Sequence, residues 1–335
     1  MSIENIDVQS SPSGAENQPT LMHRFGFTDS HAVNQLQTES SSGMYPAFMH
    51  VHGLSSPGST TTANQDRWGH SVDAIWVIDG ATNLDKIAVS PGGDDGEWIA
   101  STLDRFLYDA DWSSPKSTIE ILKDASQQMG EQYAKWVEEA PIKPATFPSA
   151  TLTIVRRLVN SLEYVVLGDC SLTVLDSAAL TETYVTTYAL SALDNAALGE
   201  MVGLREQGMS FAEARSGIQD TLVRHRSKMN RPDGYWVFSL DPDALDNAAH
   251  GTIEVSGCLD LILASDGFSR LWDMFGIVKQ GQDAWKLLDG GGLENALALL
   301  RQKEFADAEI LAYPRFKVSD DASCAFGHVC KRIGN

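Results

Sequence analysis

The chain has 335 residues, 43% of them hydrophobic, enough for one large domain or two ordinary ones around a substantial core. Its 25 Lys and Arg against 45 Asp and Glu give a net charge of −20, which argues against nucleic acid and anionic membrane as partners. No apolar run approaches the roughly 20 residues of a membrane span, and the polar start Met1-Ser2-Ile3-Glu4-Asn5 lacks the parts of a signal peptide, so a cytoplasmic location is expected.

Residues 1–44 are rich in Ser, Asn, Gln, Pro and Glu and read as a polar segment without a packed core, although Leu21 to Phe27 could dock on the body. From Ala47 the pattern changes. Ala47 to His52 alternates as a strand, placing His50 and His52 on one face, and Ala74 to Ile78 is a continuous buried strand ending at Asp79. Two helices are predicted next: Glu97 to Ala110, with Ile99, Leu103, Phe106, Leu107 and Ala110 on one stripe, and a second from a Ser114-Pro115 start to about Glu138. The second would bury Leu122, Ala125, Met129 and Trp136. Strands follow at Ala150 to Arg157, Leu162 to Gly168 and Leu172 to Asp176, with links too short for parallel crossovers, so the sheets are largely antiparallel.

Residues 191–232 read as helix and loop, and strands return at Tyr235 to Leu240, Thr252 to Val255 and Leu259 to Ala264. Gly290-Gly291-Gly292 opens a last helix, Leu293 to Phe305, before a closing strand near Ala322 to Val329. Helical blocks around strand-rich blocks predict an α+β fold: a four-layer α/β/β/α sandwich with two mostly antiparallel central sheets flanked by helices. Cys170, Cys258, Cys324 and Cys330 lack any Cys-x-x-Cys spacing, so buried free thiols are expected rather than zinc or disulfides.

Five stretches place an aspartate beside a small residue next to an apolar run: Asn64-Gln65-Asp66, Ile78-Asp79-Gly80, Leu167-Gly168-Asp169, Ala264-Ser265-Asp266-Gly267 and Ser319-Asp320-Asp321. One Asp-Gly pair is ordinary turn chemistry. Several carboxylates gathered at strand ends would repel one another unless divalent cations, which take oxygen ligands, held them together.

This ordered set, with Arg67, Ser149-Ala150-Thr151, Cys170, Leu263-Ala264-Ser265-Asp266-Gly267 and Asp320-Asp321-Ala322-Ser323, resembles the protein phosphatase 2C family of metal-dependent phosphatases, in the manner of a divergent bacterial-type member. The resemblance covers residues 45–335 as one catalytic domain, with the family's variable flap at about 190–235. It implies two Mg²⁺ or Mn²⁺ ions, with a third, weaker position. Asp79 would bridge the two ions, the Gly80 carbonyl would serve one of them, and Asp266 and Asp320 would complete the other. Asp66 would act through bound waters and Asp169 at the third position. Asp321 stands where the family usually has asparagine, so either member of the 320–321 pair could be the ligand, with Asp320 preferred. Water attacks the phosphorus directly, and Cys170 is left to packing.

Departures from the family are also visible. Gln65 replaces a common glutamate, Thr60-Thr61-Thr62 occupy a stretch that often carries a phosphate-binding arginine, and Ala81-Thr82-Asn83 follow Gly80 in place of a His-Gly-Gly-like segment that carries a candidate general acid. Arg231 from the flap, among Arg224, Arg226 and Arg231, is the expected replacement for that arginine, with Arg226 a solvated residue, and His52 a further substrate-binding candidate. The implied activity is hydrolysis of phosphoserine or phosphothreonine on a protein. The alternatives are a small phosphate ester as substrate, or a pseudophosphatase that binds a phosphorylated partner without turnover.

Overall fold

The computed structural model describes residues 46–81, 83–84, 87–141 and 147–331; the polar segment expected over residues 1–44 lies outside them, as does Thr82. Two sheets form the centre. The five-stranded one contains β1 (Pro46–Ser56), β6 (Ser171–Asp176), β7 (Thr181–Val185), β10 (Cys258–Ala264) and β11 (Ala322–Lys331), in the order β1-β11-β10-β6-β7. The six-stranded one contains β2 (Asp66–His70), β3 (Ala74–Gly80), β4 (Ser149–Arg157), β5 (Ser161–Leu167) and β9 (Ala249–Glu254) in the order β2-β3-β4-β5-β9, with the short β8 (Phe238–Ser239) pairing β4. All these pairs are antiparallel.

Alternation of side chains assigns each strand residue to one of three apolar layers. Ile75, Val77, Val166, Leu172, Leu261 and Leu263 pack between the two sheets. On the outer face of the six-stranded sheet, Trp76, Ile78 and Ile154 meet α1 (Asp95–Asp109) and α2 (Thr118–Glu139). On the other side, Ile262, Cys324 and Phe326 meet α6 (Asp266–Asp273) and α7 (Gln282–Ala306). The α/β/β/α sandwich expected from the sequence is therefore present. The stretch expected as a flap contains α3 (Ala189–Glu206), α4 (Phe211–Gly217) and α5 (Gln219–Arg226), which share a small core of Ala197, Met201, Ala214, Ile218 and Leu222.

Several boundaries move for local reasons. The second helix begins at Thr118 rather than at Ser114-Pro115, because Ser117 and Glu120 form a reciprocal capping box. The last helix begins at Gln282, ahead of the glycines, and breaks at Gly292, where φ is 78° and only glycine is comfortable. Of the run Tyr235 to Leu240, only Phe238–Ser239 is strand. Among the described residues no helix is long and apolar enough to cross a membrane.

The thiol expectation needs correction. Cys258 and Cys330 are cross-strand partners on β10 and β11 and form a disulfide across 72 residues of sequence, while Cys170 and Cys324 are free and buried. The separation hid a pairing that only the sheet register creates. His328 lies beside the bridge, with Nε2 3.0 Å from Cys330 Sγ and Nδ1 against Asp260. Closing a loop of this length restricts the unfolded chain and stabilises typically by about 2–4 kcal/mol. Reduction, or the double change Cys258→Ser with Cys330→Ser, should therefore lower the thermal midpoint by several degrees in calorimetry; equal midpoints with and without reductant would contradict the bridge.

Candidate metal centre

The antiparallel registers bring the motif residues to one edge of the sandwich. In the six-stranded sheet Asp66 is the direct partner of Asp79, and Asp79 of Thr151. Asp169 follows the end of β5, and the first residue of β6, Ser171, pairs with Ala264, two residues before Asp266. Asp320 and Asp321 lead directly into β11, whose Cys324 pairs with Ala264. Five sequence-distant aspartates thus meet where the two sheets end.

Small residues make that meeting possible. A Cβ on Gly80 would lie 2.2 Å from the Gly96 carbonyl oxygen, and one on Gly267 would lie 1.9 Å from the Asp321 carbonyl oxygen. The loops are also tied across the gap between sheets. Asp321 accepts the Gly58 N–H at Oδ1 (2.8 Å) and the Gln65 N–H at Oδ2 (2.7 Å). Both its oxygens hold backbone, which an asparagine with a single acceptor oxygen could not do, and this favours Asp320 over Asp321 as the ligand. The Gln65 side chain donates to Asp94 Oδ1 (2.7 Å), the oxygen that also caps α1 through the Glu97 N–H. A glutamate at position 65 would face that carboxylate with like charge, so the departure at Gln65 has a local cause.

Asp66 is fully buried, and neither of its carboxylate oxygens has a hydrogen-bond partner. The Ser265 hydroxyl, which accepts the Ser323 N–H (2.9 Å), lies close enough to Asp66 to favour its charged form. Burial, opposed by the Ser265 hydroxyl and helped by Asp321, Asp266 and Asp320, pushes the Asp66 carboxyl up to about 8. Burial, then Asp66 and Asp266, raises Asp79 well above the carboxylate range, and burial, then Asp266 and Asp194, raises Asp169 in the same way. A cluster of oxygen donors that includes a fully buried carboxylate with no protein cation beside it fits a hard divalent cation. Asp79, Gly80, Asp266, Asp320 and Asp169 are the residues that could hold such ions, with Asp66 behind them. Cys170 is buried, its thiol is pushed up by burial, and it lies 3.2 Å from Thr151 Oγ1, as packing requires.

Three residues near this edge escaped the sequence reading. Arg270 sits one turn after Asp266 on α6, with NH2 2.8 Å from Asp320 Oδ2 and 3.8 Å from Asp266 Oδ2. Lys317 Nζ lies 2.7 Å from Asp320 Oδ1. Burial on its own would raise Asp320, but Lys317 and Arg270 outweigh it and hold the carboxyl at about 2. Asp194 on α3 is pushed up to about 7 by burial and then by Asp266, with Arg226 opposing. It shares the inward stripe of that helix with the buried Ala197 and Met201, and a carboxylate on an apolar stripe is the signal that could have marked it.

Arg226, not Arg231, is the flap arginine turned toward the cluster. Its NH1 donates to Ser149 Oγ (2.8 Å), next to the Ala150 that pairs with Gly80, and its charge acts on Asp194. Arg226 is thus half-buried rather than solvated, and Arg231 lies exposed on the turn that follows α5. His52 is likewise away from the aspartates: it stacks on Phe326 (5.3 Å between ring centroids), and Phe326 packs edge-on against Trp285 of α7. Arg67 is occupied by Glu97 and by the carbonyls of Asn64 (2.8 Å) and Asp66 (2.7 Å).

No family model and no curated protein matches the chain. Among solved structures it is similar to the catalytic domain of the serine/threonine protein phosphatase PstP in complex with two manganese ions, at 17% identity over 85% of this chain and 99% of that one, with a TM-score of 0.47. It is similar also to the Mycobacterium tuberculosis serine/threonine phosphatase PstP/Ppp (15% identity, 84% and 99% covered, TM-score 0.47) and to the serine/threonine phosphatase Stp1 of Staphylococcus aureus (12%, 89% and 100%, TM-score 0.47). At these values the likeness adds nothing to the strand order and layers already described.

The raised carboxyls predict an unusual pH dependence for the metal-free protein. A folded carboxyl that keeps its proton above the unfolded range, about 4, binds more protons than the unfolded chain, so stability falls as pH rises from about 4 to about 8, the position of Asp66. Thermal melts in chelator should show this decline, Mn²⁺ should reverse it, and Asp66→Asn should flatten it. A metal-free midpoint that rises over the same interval would sink this picture.

Proposed function

We propose that the protein is a metal-dependent phosphatase that hydrolyses phosphate monoesters by direct attack of water, with phosphoserine or phosphothreonine on a protein as the substrate. The observation that carries this is the gathering of Asp66, Asp79, Asp169, Asp266 and Asp320 from both sheets, with the fully buried Asp66 carboxylate lacking any protein cation. Divalent ions held there would neutralise phosphoryl oxygens and supply hydroxide near neutral pH. In this reading Asp79 would serve both ions, the Gly80 carbonyl one of them, Asp266 and Asp320 the other, and Asp169 a third, weaker one. Asp66 orients water from behind these ligands. Arg226 is the residue offered to the substrate phosphate, since a guanidinium grips two oxygens at once and this one is braced on Ser149 at the edge of the site. The oxygen-only donor set favours Mg²⁺ or Mn²⁺ over softer metals.

Aryl phosphate hydrolysis should vanish on chelation and return with Mn²⁺ or Mg²⁺. Asp79→Asn and Asp266→Asn should each lower the rate by orders of magnitude while the fold persists, and Asp169→Asn should cost less at saturating metal. Undiminished hydrolysis by Asp79→Asn removes it as the bridging ligand. Among substrates, a phosphopeptide pool should be turned over ahead of a panel of metabolite phosphates; the opposite order selects the small-ester alternative, and binding of phosphopeptides without turnover selects the pseudophosphatase.

The two flap arginines separate cleanly. Loss of a charge-assisted hydrogen bond costs roughly 1.5–3 kcal/mol, so Arg226→Ala should lower kcat/KM about tenfold to a hundredfold at unchanged metal affinity, whereas Arg231→Ala should stay close to the parent. A larger loss in Arg231→Ala would return phosphate recognition to the exposed turn.

A further inference from the structure

The aspartates do not share their environment equally. Asp320 has a protein cation on each carboxylate oxygen: Lys317 Nζ at 2.7 Å from Oδ1 and Arg270 NH2 at 2.8 Å from Oδ2. Arg270 is held there from behind. Its NH1 lies 3.5 Å from Oε1 of Glu304, a fully buried residue of α7 whose Oε2 takes Arg301 NH1 at 2.8 Å. Arg301 NH1 also donates to the Asp320 carbonyl at 2.8 Å, which fixes the backbone of the same residue. Around Asp266, Asp320 and Glu304 the three cations Arg270, Arg301 and Lys317 balance three carboxylates. Asp66, Asp79 and Asp169 stand otherwise: among the described residues none of them has an ion pair, and both Asp66 oxygens lack any hydrogen-bond partner.

We infer that the two cation positions of this site are unequal by construction: the Asp79–Gly80 position binds a divalent ion tightly, while the Asp266–Asp320 position binds one weakly because Arg270 and Lys317 already supply its positive charge. This rests on the reading of the aspartates as metal ligands. A divalent ion gains most where several carboxylates have no protein cation beside them. Beside Asp320 the same ion meets two positive charges, a buried guanidinium that cannot lose its proton and a half-exposed ammonium whose repulsion solvent partly screens. The position of Arg270 also sets its role. Its donors are directed at Asp320, Asp266 and Glu304, between α6 and α7, so it adjusts the charge of a ligand and is not the group that grips the substrate.

The probe is Mn²⁺ itself, counted by calorimetric titration and by electron paramagnetic resonance of free Mn²⁺ on the full chain. The parent should bind one ion with an affinity at least about tenfold above that of the second. Asp79→Asn should abolish the tight event. Arg270→Gln should tighten the weak event by about tenfold or more, and Lys317→Gln, at a half-exposed side chain whose loss leaves the fold intact, should do the same to a smaller degree. To avoid stranding a buried carboxylate, Arg270→Gln is best paired with Glu304→Gln. Two ions of equal affinity in the parent, or a weak event unmoved by all three variants, overturns the inference and leaves the phosphatase reading intact. A parent that binds no Mn²⁺ at all removes the metal reading, and this inference with it.

Discussion

Repulsion between carboxylates gathered at one edge, Asp66 fully buried and the others partly so, is the constraint around which the rest of this molecule is arranged. Asp66 and Asp79 are directly opposed on adjacent strands, where like charges are costly, and Asp169, Asp266 and Asp320 arrive at the same edge from elsewhere in the chain. Two rigid sheets packed through a dry layer of Val, Ile and Leu hold those strand ends together against their charge. Removing a carboxylate would relieve the packing and remove the chemistry at once, a conflict common at functional sites.

How the charge is met differs from one residue to the next. Asp321 is satisfied by backbone N–H groups and so ties the loop of Gly58 to Gln65 onto the other sheet. Asp95, near the site on α1, is satisfied entirely by neutral donors: the N–H groups of Val89 (3.2 Å) and Ser90 (2.9 Å), Asn83 Nδ2 (2.8 Å) and the Tyr133 hydroxyl (2.5 Å). Asp320 takes cations from the protein, and Asp66 takes none. A row of similar-looking aspartates therefore contains fasteners and candidate ligands together, and the partner of each oxygen tells them apart.

The layered fold was largely legible because its strands and helices are written in local periodicity: the buried run of β3 and the apolar stripes of α1 and α2 need no partner to be recognised. The ordered aspartates were legible for the same reason, each being a strand end beside a small residue. What escaped depends on contacts between distant segments. Cys258 and Cys330 become neighbours only through the register of β10 with β11, and Lys317 and Arg270 gain meaning only when Asp320 lies between them. The choice between Arg226 and Arg231 turns on five residues of backbone direction after a helix end, which composition does not encode.

The flap helices carry their own small core, joined to the body through residues such as Leu84 and Phe316, and reach the site through little more than Asp194 and Arg226. A unit with separate packing can open at a lower free energy than the sandwich beneath it. Substitutions within α3 to α5 can then accumulate without disturbing the strand ends that hold the aspartates, so these helices and the aspartate edge are free to evolve at different rates in one continuous chain.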